Sequence, residues 1–408
     1  MADGWRFPQH FVPDDDWSVY AEYSEARGTE LLRVTSEEIP QGSWLEWAIP
    51  HIDQTIWRRC EIYEIDHPIG FIITKTRLEG QKQFPSVVRM TSGRSYILLP
   101  AALLEDLRLS LFALCETEAF SSHFGLSQPT GLLKQAGANP NVLGLASVLG
   151  GRGEVFRVNF ALEALRSAIR AVVDHEFGHI KNGHLELKQS RGAKLTHVEK
   201  RALEFDADAF ACNMAFGDAG SRLGMAWSIL NGGDGPTEPL VHASIEDAIP
   251  LLAAIQYVIF RLFDDWTRPL DCWSGSHPPA ILRAAICSTH FEENLKRLGM
   301  MNDLSAHRER VAEVTVAIER ALPQAAPGNI ERLFDAVLLK GPYIHEIGAA
   351  WNAIRDELDA NKKGGSIAPK HDLSTEHWPK IDIEELAAAR RRPGWPGAER
   401  SGGEEVKP

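Results

Sequence analysis

The sequence has 408 residues, of which 44% are hydrophobic and 24% charged, and its formal net charge at pH 7 is −13. This length allows one large core or two ordinary domains. The acidic balance argues against a nucleic-acid partner, because phosphate binding needs a basic surface. The five cysteines are widely spaced and include no CxxC pair, so we expect reduced thiols in a cytoplasmic protein.

Neither a membrane span nor a signal peptide is predicted. The longest charge-free apolar run, residues 248–260, contains 13 residues, whereas a helix that crosses a bilayer needs about 20. Residues 1–16 are polar and acidic and lack the charged-then-apolar order of a signal peptide. We interpret the apolar run as a buried core helix.

Residues 1–104 are predicted to form a smaller region that contains β-structure. Short segments rich in β-branched and aromatic residues are separated by Gly, Pro and charged residues, which is typical of an antiparallel sheet. These segments are Trp44–Ile49, Cys60–Ile65, Gly70–Thr76, Ser86–Met90 and Ser95–Leu99. A helix is expected over Leu103–Phe120, and residues 125–153, rich in Gly, Pro, Asn and Ser, are expected to form a loop.

The following part of the chain has mainly helical apolar spacing. One helix is expected from about Asn159 through the histidines described below. A second begins near Thr196, whose spacing to Glu199 fits a capping box, and Gly217 is a plausible stop. Further helices are predicted over residues 248–263, from Pro278 to about Leu298, and over residues 311–322 and 329–339. Residues 361–408, which hold many Lys, Glu, Gly and Pro, are predicted to form a flexible tail.

Residues 174–184 read DHEFGHIKNGH and contain two histidines four residues apart. On a helix, His175 and His179 project from one face about one turn apart, so they can bind one Zn²⁺ ion together. Glu176 follows directly, and from there a carboxylate can act as general base on a water at the metal without ligating the metal. The alternative is an amphipathic helix with two exposed histidines.

A third ligand is available on the next predicted helix. Glu204 and Asp208 are four residues apart and share a face. Glu204 can complete a His₂Glu set that leaves one position open for water, and Asp208 can orient a ligand histidine through its second ring nitrogen. A solvated acidic face is the alternative, but the neighbouring residues Phe205 and Ala207 are apolar, and a carboxylate in such surroundings usually has a partner.

Three motifs in this order resemble the pattern of the family that includes the CAAX prenyl protease and the heat-shock protease HtpX. The HExxHxxxxH motif corresponds to residues 175–184, the RxxExxAD motif to residues 201–208 and the HPPxxxR motif to residues 277–283. The resemblance covers roughly residues 160–290. Unlike the membrane members of that family, this chain has no long apolar span. The chain also has a weaker similarity to the Lit-type phage-exclusion peptidases, mainly around the predicted helix that carries His175 and His179.

The resemblance implies a gluzincin fold and a set of site residues. These are His175, His179 and Glu204 as ligands of one zinc ion per chain, Glu176 as general base, His277 and Arg283 near the oxyanion, and Asp208 and His184 as supporting residues around the ligands. A positive or hydrogen-donating group near the oxyanion agrees with the negative charge that develops there. For His277 a loop histidine before a Pro-capped helix remains an alternative, and for His184 a helix cap.

We therefore expect an α+β protein with a mainly helical gluzincin catalytic domain over residues 105–360, preceded by the mixed β region and followed by the tail. Its expected function is that of a soluble, cytoplasmic zinc metallopeptidase, an endopeptidase acting on a protein or peptide substrate. An edge strand of the N-terminal sheet would hold an extended peptide, and residues 125–153 would cover the cleft until a regulatory partner binds. Two other functions stay open, namely a zincin-fold binding protein without turnover and a zinc hydrolase of a non-peptide amide.

Overall fold

The computed structural model describes residues 32–39, 43–75, 84–90, 92–126, 151–230, 238–263, 277–297, 299, 304–322 and 329–371. Most of the predicted loop over residues 125–153, and with it the hypothesis of a cover, lies outside these ranges. The same holds for the predicted tail beyond residue 371.

Helices make up most of the described chain. Their bounds are α1 Trp44–Ile62, α2 Ala101–Cys115, α3 Glu118–Ser121, α4 Gly151–Lys181, α5 His184–Arg191, α6 His197–Leu230, α7 Glu238–Phe263, α8 Ala280–Arg297, α9 Leu304–Ala321 and α10 Asn329–Asn361. Short 3₁₀ turns lie at Ser36–Glu38, Ser122–Phe124 and Gly192–Lys194. The mainly helical α+β class expected from the sequence agrees with this content.

A small mixed sheet accompanies the helices. Its strands are β1 Ile69–Thr74, β2 Ser86–Arg89 and β3 Ser95–Pro100, in the order β1–β3–β2. The pair β1–β3 is parallel, with Ile69 opposite Ser95, whereas β2–β3 is antiparallel, with Ser86 opposite Leu98. The predicted antiparallel sheet is therefore corrected to a mixed one. A parallel pair needs a long connection, and residues 75–94, which include β2, provide it.

The first two predicted strands, Trp44–Ile49 and Cys60–Ile65, are wrong, because one helix, α1, covers the whole first segment and the second segment as far as Ile62. Its buried residues include Ala48, Ile52, Ile56 and Arg59, which recur at helical spacing and cover one face. Ser43 caps this helix, since its Oγ accepts a hydrogen bond from the Glu46 amide at 3.2 Å. Short windows of aromatic and β-branched residues concealed the longer helical period.

Five helices are longer than the sequence predicts, and two of them, α7 and α9, begin at Glu238 and Leu304 rather than at residues 248 and 311. Helix α4 begins at Gly151 rather than near Asn159, and α10 continues to Asn361. Helix α6 does not stop at Gly217 but runs on to Leu230. The expected capping box at its start is present, since the Glu199 amide donates to Thr196 Oγ1 at 3.2 Å and Glu199 Oε2 accepts from the Thr196 amide at 2.8 Å.

Helix α4 lies at the centre of the molecule. It packs against α1, α2, α5, α6 and α7 and also against β2 and β3. Side chains from α1, the sheet and the helices up to α10 share one apolar core, and the division between residues 104 and 105 stays a prediction. No helix in the described ranges combines the length and apolarity needed to cross a membrane.

The chain after α10 folds back onto the core. The Lys363 amide donates to the Lys181 carbonyl at 2.8 Å, and Trp351 Nε1 donates to the Pro369 carbonyl at 3.0 Å. Asn352 bonds the His371 backbone in both directions. The predicted flexible tail therefore begins with a packed stretch. We call residues 362–371 the C-terminal strap.

Candidate metal centre

The candidate site lies where α4 and α6 approach each other closely. Gly178 stands on α4 between the two histidines of the HExxH motif, and a Cβ atom there would lie 3.2 Å from Phe210 and 3.4 Å from the Ala207 backbone of α6. The missing side chain lets the two helix backbones come together. This contact brings Glu204 of α6 opposite His175 and His179 of α4.

Among the described residues, His175, His179 and Glu204 form a group that can hold a metal ion, with one ligand atom from each lying within 4.8 Å of the others. The two Nε2 atoms are 3.2 Å apart. Glu204 Oε2 lies 3.4 Å from His175 Nε2, and Glu204 Oε1 lies 3.5 Å from His179 Nε2. Two imidazole nitrogens and a carboxylate oxygen are a donor set that Zn²⁺ prefers, so the residues present fit this ion.

Asp208 and Arg283 hold His175 in place from the side of its outer ring nitrogen, Nδ1. Asp208 Oδ1 lies 2.9 Å from His175 Nδ1, the ring nitrogen that faces away from the donor group. The guanidinium of Arg283, on α8, bonds both oxygens of Asp208 at 2.7 and 2.8 Å. A carboxylate on the outer nitrogen fixes the ring orientation and leaves the inner nitrogen for a metal. The structure thus brings together His175 and Asp208 as the sequence predicts.

His179 has a different support on its outer side. Its Nδ1 atom lies 2.7 Å from Nδ1 of His184, whose side chain is fully buried. His184 Nε2 lies 3.1 Å from Asp206 Oδ2, and Asn182 Nδ2 donates to the same oxygen at 2.5 Å. Helix α4 ends at Lys181, and Gly183, at φ +79°, makes the left-handed turn that leads into α5. That turn places His184 behind His179.

The charges at the site are strongly coupled. Burial alone would lower the pKa of His175, but hydrogen bonds with Asp208 and Glu204 raise it to about 9. Burial would raise the pKa of Glu204, yet His179, His175 and Arg283 together hold it well below its usual value. Burial lowers the pKa of His179 well below the usual value. A metal ion would therefore compete with a proton for His175.

Glu176 is buried beside the donor group, and 4% of its surface is exposed. Burial raises the pKa of its carboxyl to about 7, with the nearby charge of Glu204 adding to the effect and that of His175 opposing it. A carboxyl group with such a pKa can both take up and release a proton near neutral pH.

His277 and Arg283 approach the donor group from the third motif. His277 Nε2 lies 3.9 Å from Glu204 Oε1, and the side chain of His277 is 69% exposed. Arg283 lies 3.8 Å from Glu204 Oε2, and its guanidinium stacks 4.7 Å from the ring centre of Phe260. The three motifs, which are far apart in the sequence, therefore meet at one place.

Sequence reasoning missed Asp206, Asn182 and the strap residues near them. Asp206 stands two residues after Glu204, so helical geometry turns it away from the side on which Glu204 and Asp208 lie. The signal in the sequence is a charged residue between apolar neighbours, since such a residue, once buried, requires a partner on that other side.

Comparisons with protein-family models, with curated proteins and with solved structures each gave no match. The interpretation of the site therefore rests on its own geometry and chemistry.

Proposed function

We propose that this chain is a zinc-dependent peptidase. The observation that carries the proposal is the convergence of His175 Nε2, His179 Nε2 and a Glu204 carboxylate oxygen beside the buried carboxyl of Glu176. When bound, Zn²⁺ would act as a Lewis acid and bring the pKa of a water at the site to about 7.

The side chains around the donor group would transfer the proton and stabilise the developing negative charge. Glu176 accepts the proton of the attacking water and passes it to the leaving amine, for which its raised pKa is suited. Arg283 keeps a positive charge near the reacting carbonyl, where negative charge develops. Its ion pair with Asp208 holds it in place. His277 is largely exposed at the edge of the site, with its Nε2 atom 3.9 Å from Glu204 Oε1. We propose it as a second hydrogen-bond donor to the oxygen of the reacting carbonyl.

The substrate is a protein or peptide segment in extended conformation. β2 pairs with β3, and its other edge has no strand partner among the described residues. This strand packs against α4 and α5, and Arg89 at its end forms an ion pair with Glu186 of α5. Pro85, just before the strand, lines a small cavity together with His175. An extended segment that adds to this edge would lie beside α4, which carries His175 and His179.

An apolar contact at the start of β2 suits the same role. Phe84 is 54% exposed, and its ring packs edge to face against Phe263 of α7 at 5.6 Å. A large exposed apolar side chain at the edge of a cleft commonly contacts a partner. A substrate with an apolar side chain near the cleaved bond is therefore preferred.

The test is the zinc content and peptidase activity of the purified chain and of two variants. Wild type is expected to hold about one zinc ion, and Glu204→Ala to lose it. Glu176→Gln is expected to keep the zinc and to lose about 10²–10⁴-fold in kcat on a peptide library. The exposed Glu293→Ala, at a paired surface position of α8, is the control and is expected to match wild type in both measurements.

Each outcome separates one part of the proposal. Zinc retained by Glu204→Ala would remove Glu204 from the ligand set. A wild-type chain that binds zinc but cleaves no peptide would leave a binding protein or a hydrolase of other amides. A wild-type chain without metal affinity would end the proposal.

A further inference from the structure

A continuous line of hydrogen bonds leads from His179 to the C-terminal strap. It begins with His179 Nδ1 and His184 Nδ1 at 2.7 Å and continues from His184 Nε2 to Asp206 Oδ2 at 3.1 Å. Asn182 donates to that same oxygen, and Lys181 Nζ donates to Asn182 Oδ1 at 2.9 Å. All of these side chains are buried.

The line determines which ring nitrogens carry protons. A histidine that presents Nε2 to a metal must carry its proton on Nδ1, so His179 Nδ1–H donates and His184 Nδ1 accepts. His184 then carries its proton on Nε2 and donates it to Asp206, which as a carboxylate can only accept. The arrangement is consistent at every step with neutral imidazoles.

The orientation of Asn182 is fixed in the same way. The ammonium of Lys181 can only donate, so the atom of Asn182 that it contacts must be the amide oxygen. The amide nitrogen of Asn182 is then the atom that faces Asp206. Asp206 thus receives a second hydrogen bond that helps to hold its carboxylate in line with His184.

The C-terminal strap, residues 362–371, holds the outer end of this line. Lys181 Nζ donates to the Ser366 carbonyl at 2.7 Å, and the Lys181 carbonyl accepts from the Lys363 amide at 2.8 Å. Lys363 Nζ lies 2.6 Å from Glu186, which also pairs with Arg89 of β2. The strap therefore contacts the end of α4 and is linked to β2 through Glu186.

We infer that His184 and Asp206 are positioning residues that hold His179 in its metal-binding tautomer, and that the C-terminal strap secures Asp206 through Lys181 and Asn182. The inference rests on the proposed metal site only in taking His179 as a ligand. It assigns to the strap a function in metal retention, although the strap itself contributes no ligand.

The experiment combines histidine ¹⁵N NMR with zinc affinity measured by chelator competition, on the full-length chain. In the metal-free protein, His179 is expected to be protonated on Nδ1 and His184 on Nε2. Asp206→Ala is expected to lose this pattern and to bind zinc about 10–100-fold more weakly. Asp206→Asn, which still offers an oxygen to His184, is expected to restore the tautomers and most of the affinity.

Two further variants complete the design. Lys181→Met removes the donor to both Asn182 and Ser366 and is expected to weaken zinc binding in the same direction as Asp206→Ala. The control is Glu319→Gln, a buried carboxylate that bonds Tyr257 and Arg261 and takes no part in the line. It is expected to leave zinc affinity and both tautomers unchanged, whatever it does to stability.

The contradicting results are distinct from those that would end the proposed function. Unchanged tautomers and unchanged zinc affinity in Asp206→Ala would overturn the positioning role. An unchanged affinity in Lys181→Met would remove the strap from it, and equal weakening by Glu319→Gln would show a general loss of stability. If wild type binds no zinc, the proposed function fails. The tautomer assignment is tested separately, and a His179 ring protonated on Nε2 in the metal-free chain would overturn it.

Discussion

Arg59 of α1 forms a bidentate ion pair with Asp174, the residue that directly precedes His175. The Nε–Oδ1 and Nη2–Oδ2 distances are 2.7 and 2.9 Å, and Nη2 also lies 2.9 Å from Asp218 Oδ2. Both Arg59 and Asp174 are 1% exposed. One buried guanidinium therefore joins α1, α4 and α6 immediately beside the donor group.

Replacing Arg59 by methionine is expected to destabilise the fold strongly. Two buried carboxylates would lose their main cationic partner, and breaking such a pair by removing one side costs about 3–5 kcal/mol. The measurement is the free energy of unfolding in urea at pH 7. The neighbouring Arg58 offers a matched control, because its side chain is 43% exposed and lies 3.8 Å from Asp218.

Arg58→Ala is expected to cost less than about 1 kcal/mol, as is usual for an exposed ion pair. If the two substitutions cost the same, the buried network does not stabilise the fold as proposed. A loss in Arg59→Met below about 1 kcal/mol would lead to the same conclusion.

His290 is expected to make the protein sensitive to mild acid. Its ring packs against Phe205 at 5.2 Å, and its Nε2 atom is buried without a hydrogen-bond partner among the described residues. Burial lowers the pKa of His290 to about 4, whereas the unfolded chain has a value of about 6.5. The unfolded state therefore binds the proton first as the pH falls.

The stability that the neutral ring contributes is present above pH 6.5 and is lost as the pH falls from 6.5 towards 4. The loss from this group is up to about 3 kcal/mol. His290→Leu, which cannot titrate, is expected to show a flatter dependence of unfolding free energy on pH over this interval. Parallel curves for the variant and wild type would exclude His290 as the cause.

Gly217→Ala is expected to stabilise the protein by about 0.5–1 kcal/mol. The glycine lies inside α6, where a Cβ would meet no atom within 4 Å, and alanine loses less conformational freedom in a helix. The measurement is the midpoint of thermal unfolding. A lower midpoint would mean that the helix does not continue through this position in solution.

The same glycine illustrates what the sequence can and cannot predict. The motifs placed His175, His179, Glu204 and Asp208 on two helix faces, because helical periodicity decides which side chains share a face. The end of α6 was not predictable from Gly217, since tertiary packing overrides the weak local preference of one residue.

Other parts of the site depend on contacts between distant segments. The role proposed for Asp206 follows from its contact with His184. The position of His184 depends on the turn at Gly183. The strap residues Ser366 and Lys363 lie about 180 residues after Lys181, and no local pattern links them. Composition alone predicted a flexible tail there, because Lys, Glu, Gly and Pro are typical of disorder when no partner surface is known.

A bound peptide is expected to protect β2 from hydrogen exchange. The ligand is a peptide that carries a zinc-binding hydroxamate in place of the cleaved bond and an apolar side chain beside it. Pairing along the free edge would slow exchange of outward-facing amides within residues 86–89, whereas amides of β1, on the far side of β3, keep their rates. Inhibition by this peptide without protection at β2 would place the substrate elsewhere.

Gly364→Ala is expected to loosen the C-terminal strap. A Cβ at this position would lie 2.3 Å from the Tyr63 carbonyl oxygen and 3.0 Å from Ile65, so the strap must shift away from the end of α1. Such overpacking costs about 1–3 kcal/mol of stability. Because Ser366 and Lys363 hold Lys181 from the same stretch, zinc affinity is expected to fall together with stability. Gly217→Ala, an identical change in open space, is the control that keeps zinc affinity at the wild-type value. A Gly364→Ala protein that is less stable but binds zinc as tightly as wild type would separate the strap from the metal centre.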